Sequence, residues 1–278
     1  MESLDIKAEF RQFPAARLFC LKTSKKHVQA SQVVLIVPPF AEEMNKSRKM
    51  MSLLLAEVAS DDTCGYLFDL YGTGDSEGDF SEATWEMWRL NLIDMLDYIG
   101  AQEGVEQISI VAIRTGALLV NSVLAQEHAV SRKINSVHYW NPVFNASLFI
   151  AQFLRLKLAA NMMRSNGPKV GVKELRQQLQ DQGELEVAGY ALNQDLIEGM
   201  EAAPITLHAS LPRLELHFYE LSALKQITPG LMKKISELGG EANLRFTHVV
   251  DGAQFWSTQE VSICQPLLSL TKKHLFVE

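Results

Sequence analysis

Three short segments of the 278-residue chain place polar or charged side chains just after an apolar run and just before a helical pattern. In folds that alternate strands and helices, ligands are held at such strand-to-helix loops. The first is Pro38-Pro39-Phe40-Ala41-Glu42-Glu43-Met44-Asn45. Its prolines restrict the backbone, and the helix that follows offers unpaired N–H groups that could face a developing oxyanion. Glu42 and Glu43 equally suit the positive helix end, a role worth about 0.3–1 kcal/mol each. The second, Asp69-Leu70-Tyr71-Gly72-Thr73-Gly74-Asp75-Ser76-Glu77-Gly78-Asp79-Phe80, is held to a tight path by its glycines. With no lysine and several carboxylates it is not a phosphate loop. The third, Ile113-Arg114-Thr115-Gly116-Ala117, joins a strand directly to a helix. Elsewhere Ser76 and Ser257 supply hydroxyls, His217 and His248 lie in strand patterns, and Glu220 ends a strand as a candidate acid. A strand histidine is also an ordinary core residue, so these two carry no assignment by themselves.

The elements that must position these groups follow from hydrophobic periodicity. Strands are predicted at Val33 to Val37, Gly65 to Phe68, Ile108 to Ala112, Ser136 to Trp140, Leu214 to Tyr219 and Leu244 to Val250. Helices are predicted at Glu42 to Ala59, Ser81 to Ala101, Gly116 to His128, Leu224 to Leu238 and Trp256 to His274. In the second helix Trp85, Trp88, Leu92, Leu96 and Ile99 share one face, and Ser81 stands as its N-cap. This cadence predicts an α/β fold, a mostly parallel sheet with helices on both faces. Ile6 to Phe10 and Arg17 to Thr23 can pair as an antiparallel hairpin at its edge. From Asn145 to Ala203 no strand pattern is evident, and the stretch reads as helices with a turn at Asn166-Gly167-Pro168. Its first helix is apolar and carries Arg155, Lys157 and Arg164. A lid over the strand C-termini fits this insertion better than a membrane-surface helix, because the whole chain is acidic. The expected division is a core over 1–144, a helical lid over 145–205 and the rest of the core over 206–278.

The chain carries 26 basic and 33 acidic residues, a net charge of −7, which argues against nucleic acid as a partner. No apolar run approaches the about 18 residues of a membrane helix, and the acidic start does not read as a signal peptide, so a cytoplasmic location is expected. Three widely spaced cysteines give neither a disulfide framework nor a zinc knuckle, so no metal or other cofactor is expected.

The third segment resembles the nucleophile elbow of the α/β-hydrolase superfamily, G-x-S-x-G, here Ala112-Ile113-Arg114-Thr115-Gly116. Asp69 to Ser76 is similar to that superfamily's D-x-R-G-x-G-x-S segment, and the insertion falls where its lids fall. Pro38 through Arg48, the arginine-containing elbow and Gly252-Ala253-Gln254-Phe255-Trp256 resemble the exosortase A system-associated hydrolases of the second type. That family is linked to bacterial exopolysaccharide and protein-sorting gene neighbourhoods.

The resemblance implies a triad of serine, acid and histidine in that order, and the sequence departs from it. Arg114 stands at the nucleophile position and, always protonated, has no lone pair with which to attack a carbonyl. The histidine position, just beyond Gly252, holds Gln254, Phe255 and Trp256. Glu220 alone inherits a role, as the acid. Thr115 is expected to turn its side chain inward and to offer a backbone N–H. An elbow arginine beside a helix N-terminus makes an anion site, unless a carboxylate such as Glu220, Glu43 or Asp251 neutralises it internally. The expected ligand site is therefore Arg114, Thr115, Phe40, Ala41, Glu43 and Gln254. Two functions compete. One is a non-catalytic hydrolase-fold protein binding an anionic, acyl or glycan-derived small molecule, with a pathway protein as a further possible partner. The other is an active hydrolase or acyltransferase with a non-standard constellation.

Overall fold

A computed structural model describes residues 4–26, 29–126, 132–163, 171–207, 214–238 and 244–275. The sheet is built from β1 (Leu4–Gln12), β2 (Arg17–Lys25), β3 (Gln32–Val37), β4 (Thr63–Phe68), β5 (Gln107–Ile113), β6 (Ile134–Trp140), β9 (Glu215–Leu221) and β10 (Leu244–Val250). Their order is β1-β2-β4-β3-β5-β6-β9-β10. The six strands from β4 to β10 in that order run parallel, while β1 and β2 form the expected edge hairpin with Ile6 opposite Thr23.

The side-chain period of two divides each central strand between two cores. On β3, Val33, Leu35 and Val37 face one apolar cluster, and Val34 and Ile36 face the other. The first core is covered by α2 (Trp85–Gly100) and α3 (Gly116–Leu124), the second by α1 (Glu42–Val58) and α8 (Gln265–Leu275). The predicted face of α2 is the buried one: Trp85, Trp88, Leu92, Leu96 and Ile99 are each at most 5% exposed.

Several helix starts differ from the sequence expectation, each for a local reason. Ser81 does not cap α2; it lies in a 3₁₀ turn, Phe80–Glu82, and the Thr84 hydroxyl caps α2 by accepting from the Met87 N–H at 3.2 Å. The helix expected from Leu224 starts at Pro229 as α7 (Pro229–Glu237), because proline is at home only in a helix's first turn. Pro266 likewise sits in the first turn of α8, which begins well after Trp256. The expected end of α3 at His128 and the turn at Asn166-Gly167-Pro168 lie outside the described residues.

The segment between β6 and β9 is not purely helical. It contains α4 (Ala146–Met163), α5 (Val172–Gln182), a hairpin of β7 (Glu184–Val187) and β8 (Tyr190–Asn193), and α6 (Gln194–Glu201). Ala188 and Gly189 both have positive φ, 51° and 86°, which is the backbone of a two-residue hairpin turn. An alanine in the first of these positions hides the signal that Asn-Gly would have given. Phe149, Ile150, Phe153 and Leu154 bury the inner face of α4. No helix among the described residues is long and apolar enough to cross a membrane.

Candidate functional site

The elbow between β5 and α3 is built by backbone constraint. Arg114 has φ 53°, left-handed and costly for a residue with a side chain, and its N–H donates to the Trp140 carbonyl at 3.0 Å. Gly116 permits the turn, since a Cβ there would lie 2.7 Å from the Val37 carbonyl oxygen. The result is a side chain displayed at the C-terminal end of the parallel strands.

The Arg114 guanidinium is fully engaged on one edge. Its Nε lies 3.1 Å from Glu43 Oε2 and its Nη2 donates to Glu43 Oε1 at 3.1 Å, a bidentate pair. Nη1 donates to the Asn141 carbonyl at 2.9 Å, and the Trp256 ring lies 4.8 Å from the guanidinium carbon. Only 15% of the arginine side chain and 19% of the glutamate's remain exposed. Burial pushes the Glu43 carboxyl above the usual carboxylate range, and the neighbouring Arg114 charge holds it partly back.

These groups floor a cleft of about 250 Å³. Helix α1 contributes Glu42, Glu43 and Lys46; α4 contributes Phe149, Gln152, Phe153 and Leu156; the loop after β10 contributes Trp256 and Ser257. One wall is thus apolar and the floor is charged, with two acidic and two basic groups in balance. Tyr190 of the inserted hairpin is tied to α1: its hydroxyl donates to Glu42 Oε2 at 3.2 Å and accepts from Asn45 Nδ2 at 2.8 Å. Burial and the adjacent Glu42 charge push this phenol up to about 12.

The structure brings Arg114 and Glu43 together and sends the other expected site residues elsewhere. Phe40 lies below the cleft, 1% exposed, with Phe149 and Phe153 packed on it edge-to-face at ring distances of 5.8 and 5.3 Å. Ala41 is equally buried. Thr115 turns inward, and its hydroxyl accepts the Phe40 N–H at 2.8 Å, so the N–H that could have faced an oxyanion is already satisfied. Gln254 is exposed, because Phe255 and Trp256 anchor their loop and a turn from Gln254 to Ser257 directs the glutamine outward. Glu220 does not reach Arg114. Its carboxylate accepts the Thr228 N–H at 2.7 Å and borders a second cavity, about 310 Å³, with Asn145 and Lys234.

The alternative hydroxyls are committed as well. Ser76 Oγ donates to the Asp69 carbonyl at 2.6 Å and accepts the Phe19 N–H, and Ser257 Oγ donates to the Gln254 carbonyl at 3.0 Å. His217 and His248 face α8, on the sheet side opposite α2 and α3, in a stack with His138, and the ring of His274 is tilted against them. Sequence reasoning missed Trp256, Lys46, Asn141 and the α4 aromatics as neighbours of Arg114. An arginine at an elbow with tryptophan where a histidine is expected was the one available sign, since arginine favours an aromatic face.

No protein-family model matches the sequence, and no curated protein is similar enough to count as a relative. Solved structures match over nearly the full chain. Est1E from Butyrivibrio proteoclasticus, with ferulic acid bound, is 14% identical, covers 96% of each chain and has a TM-score of 0.62. Proline iminopeptidase from Mycobacterium smegmatis is 11% identical over 97% of each chain, with a TM-score of 0.58. The mouse α/β hydrolase domain-containing protein 10 is 12% identical over 98% of each chain, at 0.56. The sheet order, the elbow and these similarities define an α/β-hydrolase fold. At such identities they define the fold and leave the chemistry to the residues.

Proposed function

We propose that this chain is a non-hydrolytic binding protein on the α/β-hydrolase fold, with an acyl or glycan-derived ligand bearing an acidic group. The observation that carries the reading is Arg114 at the elbow tip, where the mechanism of this fold needs a hydroxyl. Around it stand a carboxylate, a carbonyl and an indole, and among the described residues no imidazole lines the cleft. The ligand's acidic group meets Arg114 and Lys46, while its apolar part lies along Phe149, Phe153 and Leu156. The 145–205 insertion, through α4 and the Tyr190 hairpin, serves as the lid over this ligand. Resemblance of the Pro38 to Arg48 segment to exosortase A-associated proteins is the support for an exopolysaccharide-linked pathway as the source of the ligand and of a protein partner.

The test pairs a serine-directed fluorophosphonate with a thermal-shift screen of fatty acids, alkyl sulfonates and sugar acids. The expected result is no covalent labelling, together with stabilisation by one anionic class that disappears in Arg114→Ala. Labelling that survives Ser76→Ala and Ser257→Ala but vanishes in Thr115→Val would establish an active hydrolase instead. Absence of any shift across the anions would remove the binding reading.

A further inference from the structure

Four of the chain's seven histidines gather on one face of the sheet, away from the Arg114 cleft. His138 on β6, His217 on β9 and His248 on β10 stack almost parallel, and His274, in the last turn of α8, tilts over them with its ring 4.4 Å from His248. His138 is occupied, with its two ring nitrogens 3.1 Å from Ser136 Oγ and from the Tyr219 hydroxyl. The other three each bring a ring nitrogen into a common space, these atoms lying within 4.8 Å of one another.

We propose that His217, His248 and His274 form a binding site for a borderline divalent metal ion of the zinc type, with Glu215 as the residue that positions His217. Three arguments carry it. The first is distance: His217 Nδ1 and His248 Nε2 are 3.2 Å apart, close to the about 3.3 Å that separates two nitrogens bonded to one tetrahedral zinc. The second is the outer shell. His217 turns its other nitrogen, Nε2, to the Glu215 carboxylate at 3.4 Å, the arrangement that fixes the tautomer of a metal-bound histidine. The third is donor chemistry. Three imidazoles without a thiolate suit zinc, copper or nickel and not calcium or magnesium. His248 and His274 are half-buried, which leaves a path for the ion and a fourth position for water. The charge of Lys273 opposes a cation here, and Glu215 offsets it.

The experiment titrates Zn²⁺ into the untagged, chelator-treated full chain by calorimetry, and records the visible spectrum of the Co²⁺ form. One equivalent of tightly bound Zn²⁺ and a four-coordinate Co²⁺ spectrum are expected. Affinity should fall roughly tenfold or more in His274→Ala and in His248→Ala, and roughly 10- to 100-fold in Glu215→Gln with the stoichiometry kept. His27, His128 and His208 are retained in every variant, so weak binding at those positions cannot imitate the loss. Circular dichroism establishes that each variant is folded, and His274→Gln, a half-buried change at a helix end, serves if the alanine form is not. Failure of the wild-type chain to bind one equivalent, or unchanged affinity in both His248→Ala and His274→Ala, overturns the site.

Discussion

The Arg114 cleft and the histidine cluster both remove ionisable side chains from water, and they do so by opposite means. In the cleft the charges persist and are paired: a guanidinium that cannot lose its proton is clamped to Glu43 and backed by the Asn141 carbonyl. In the cluster the charges are given up: His138 and His217, at most 2% exposed, are held below their usual range by burial, and ring stacking replaces ion pairing. The difference teaches that the chemistry of a buried group depends on whether it can shed its charge. Arginine cannot, so its site is fixed by a partner. Histidine can, so its site is set by packing and stays available to a metal.

The sharpest break in this comparison is to remove the partner from the charge that cannot be shed. Glu43→Ala strands Arg114 and should cost about 3 kcal/mol in denaturant unfolding, the low end for a broken buried pair because the cleft admits some water. Arg114→Ala should cost markedly less, about 1 kcal/mol, since Glu43 already titrates above the ordinary carboxylate range and can take a proton. Equal losses for the two variants would mean that Arg114 is stabilised by something other than Glu43. On the neutral side, His138→Ala should cost about 2 kcal/mol, from a cavity plus a Tyr219 hydroxyl without its imidazole partner. A loss confined to acidic solution would show instead that His138 is charged in the folded chain.

The same contrast governs what the sequence revealed. The elbow is local: Arg114, Thr115 and Gly116 are consecutive, so a strand, a tight turn and a helix start could be read directly from them. The strands were legible because β3 and β5, buried on both faces, are continuous apolar runs bounded by turns. Glu43 stood among three carboxylates that could meet Arg114, and only the path of α1 singles it out. Glu220 looked as suitable but is turned to the Thr228 N–H. The histidine cluster was illegible as a group because β6, β9, β10 and α8 supply one ring each, with no common spacing. Cysteine spacing, the usual metal signal, is silent where every ligand is an imidazole. The β7–β8 hairpin was missed because Ala188 adopts a positive φ that the residue type disfavours.

A third prediction probes the floor of the cleft. Thr115→Val removes the acceptor of the Phe40 N–H at a buried position and should cost about 1–2 kcal/mol, while Thr115→Ser should be nearly silent because the hydroxyl is kept. If valine is tolerated as well as serine, the N–H has another partner and the oxyanion position is open after all.

The smallest expected effect is also the most direct reading of the cleft's charge balance. The folded Glu43 carboxyl binds its proton more tightly than an unfolded one, so its charge is lost in a window that begins above the ordinary carboxylate range. As pH falls through that window, protonation favours the folded state and frees Arg114 from its counter-charge. An alkyl sulfonate, ionised throughout, should then bind more tightly by about 1 kcal/mol, roughly fivefold, and lose that gain as pH rises again. Glu43→Gln should flatten the profile at the tighter level, since the pairing charge is absent at every pH. A sulfonate affinity that weakens on acidification would mean that the anion does not compete with Glu43 for Arg114. Lys46 would then be the cation that holds it, and the arginine a structural plug.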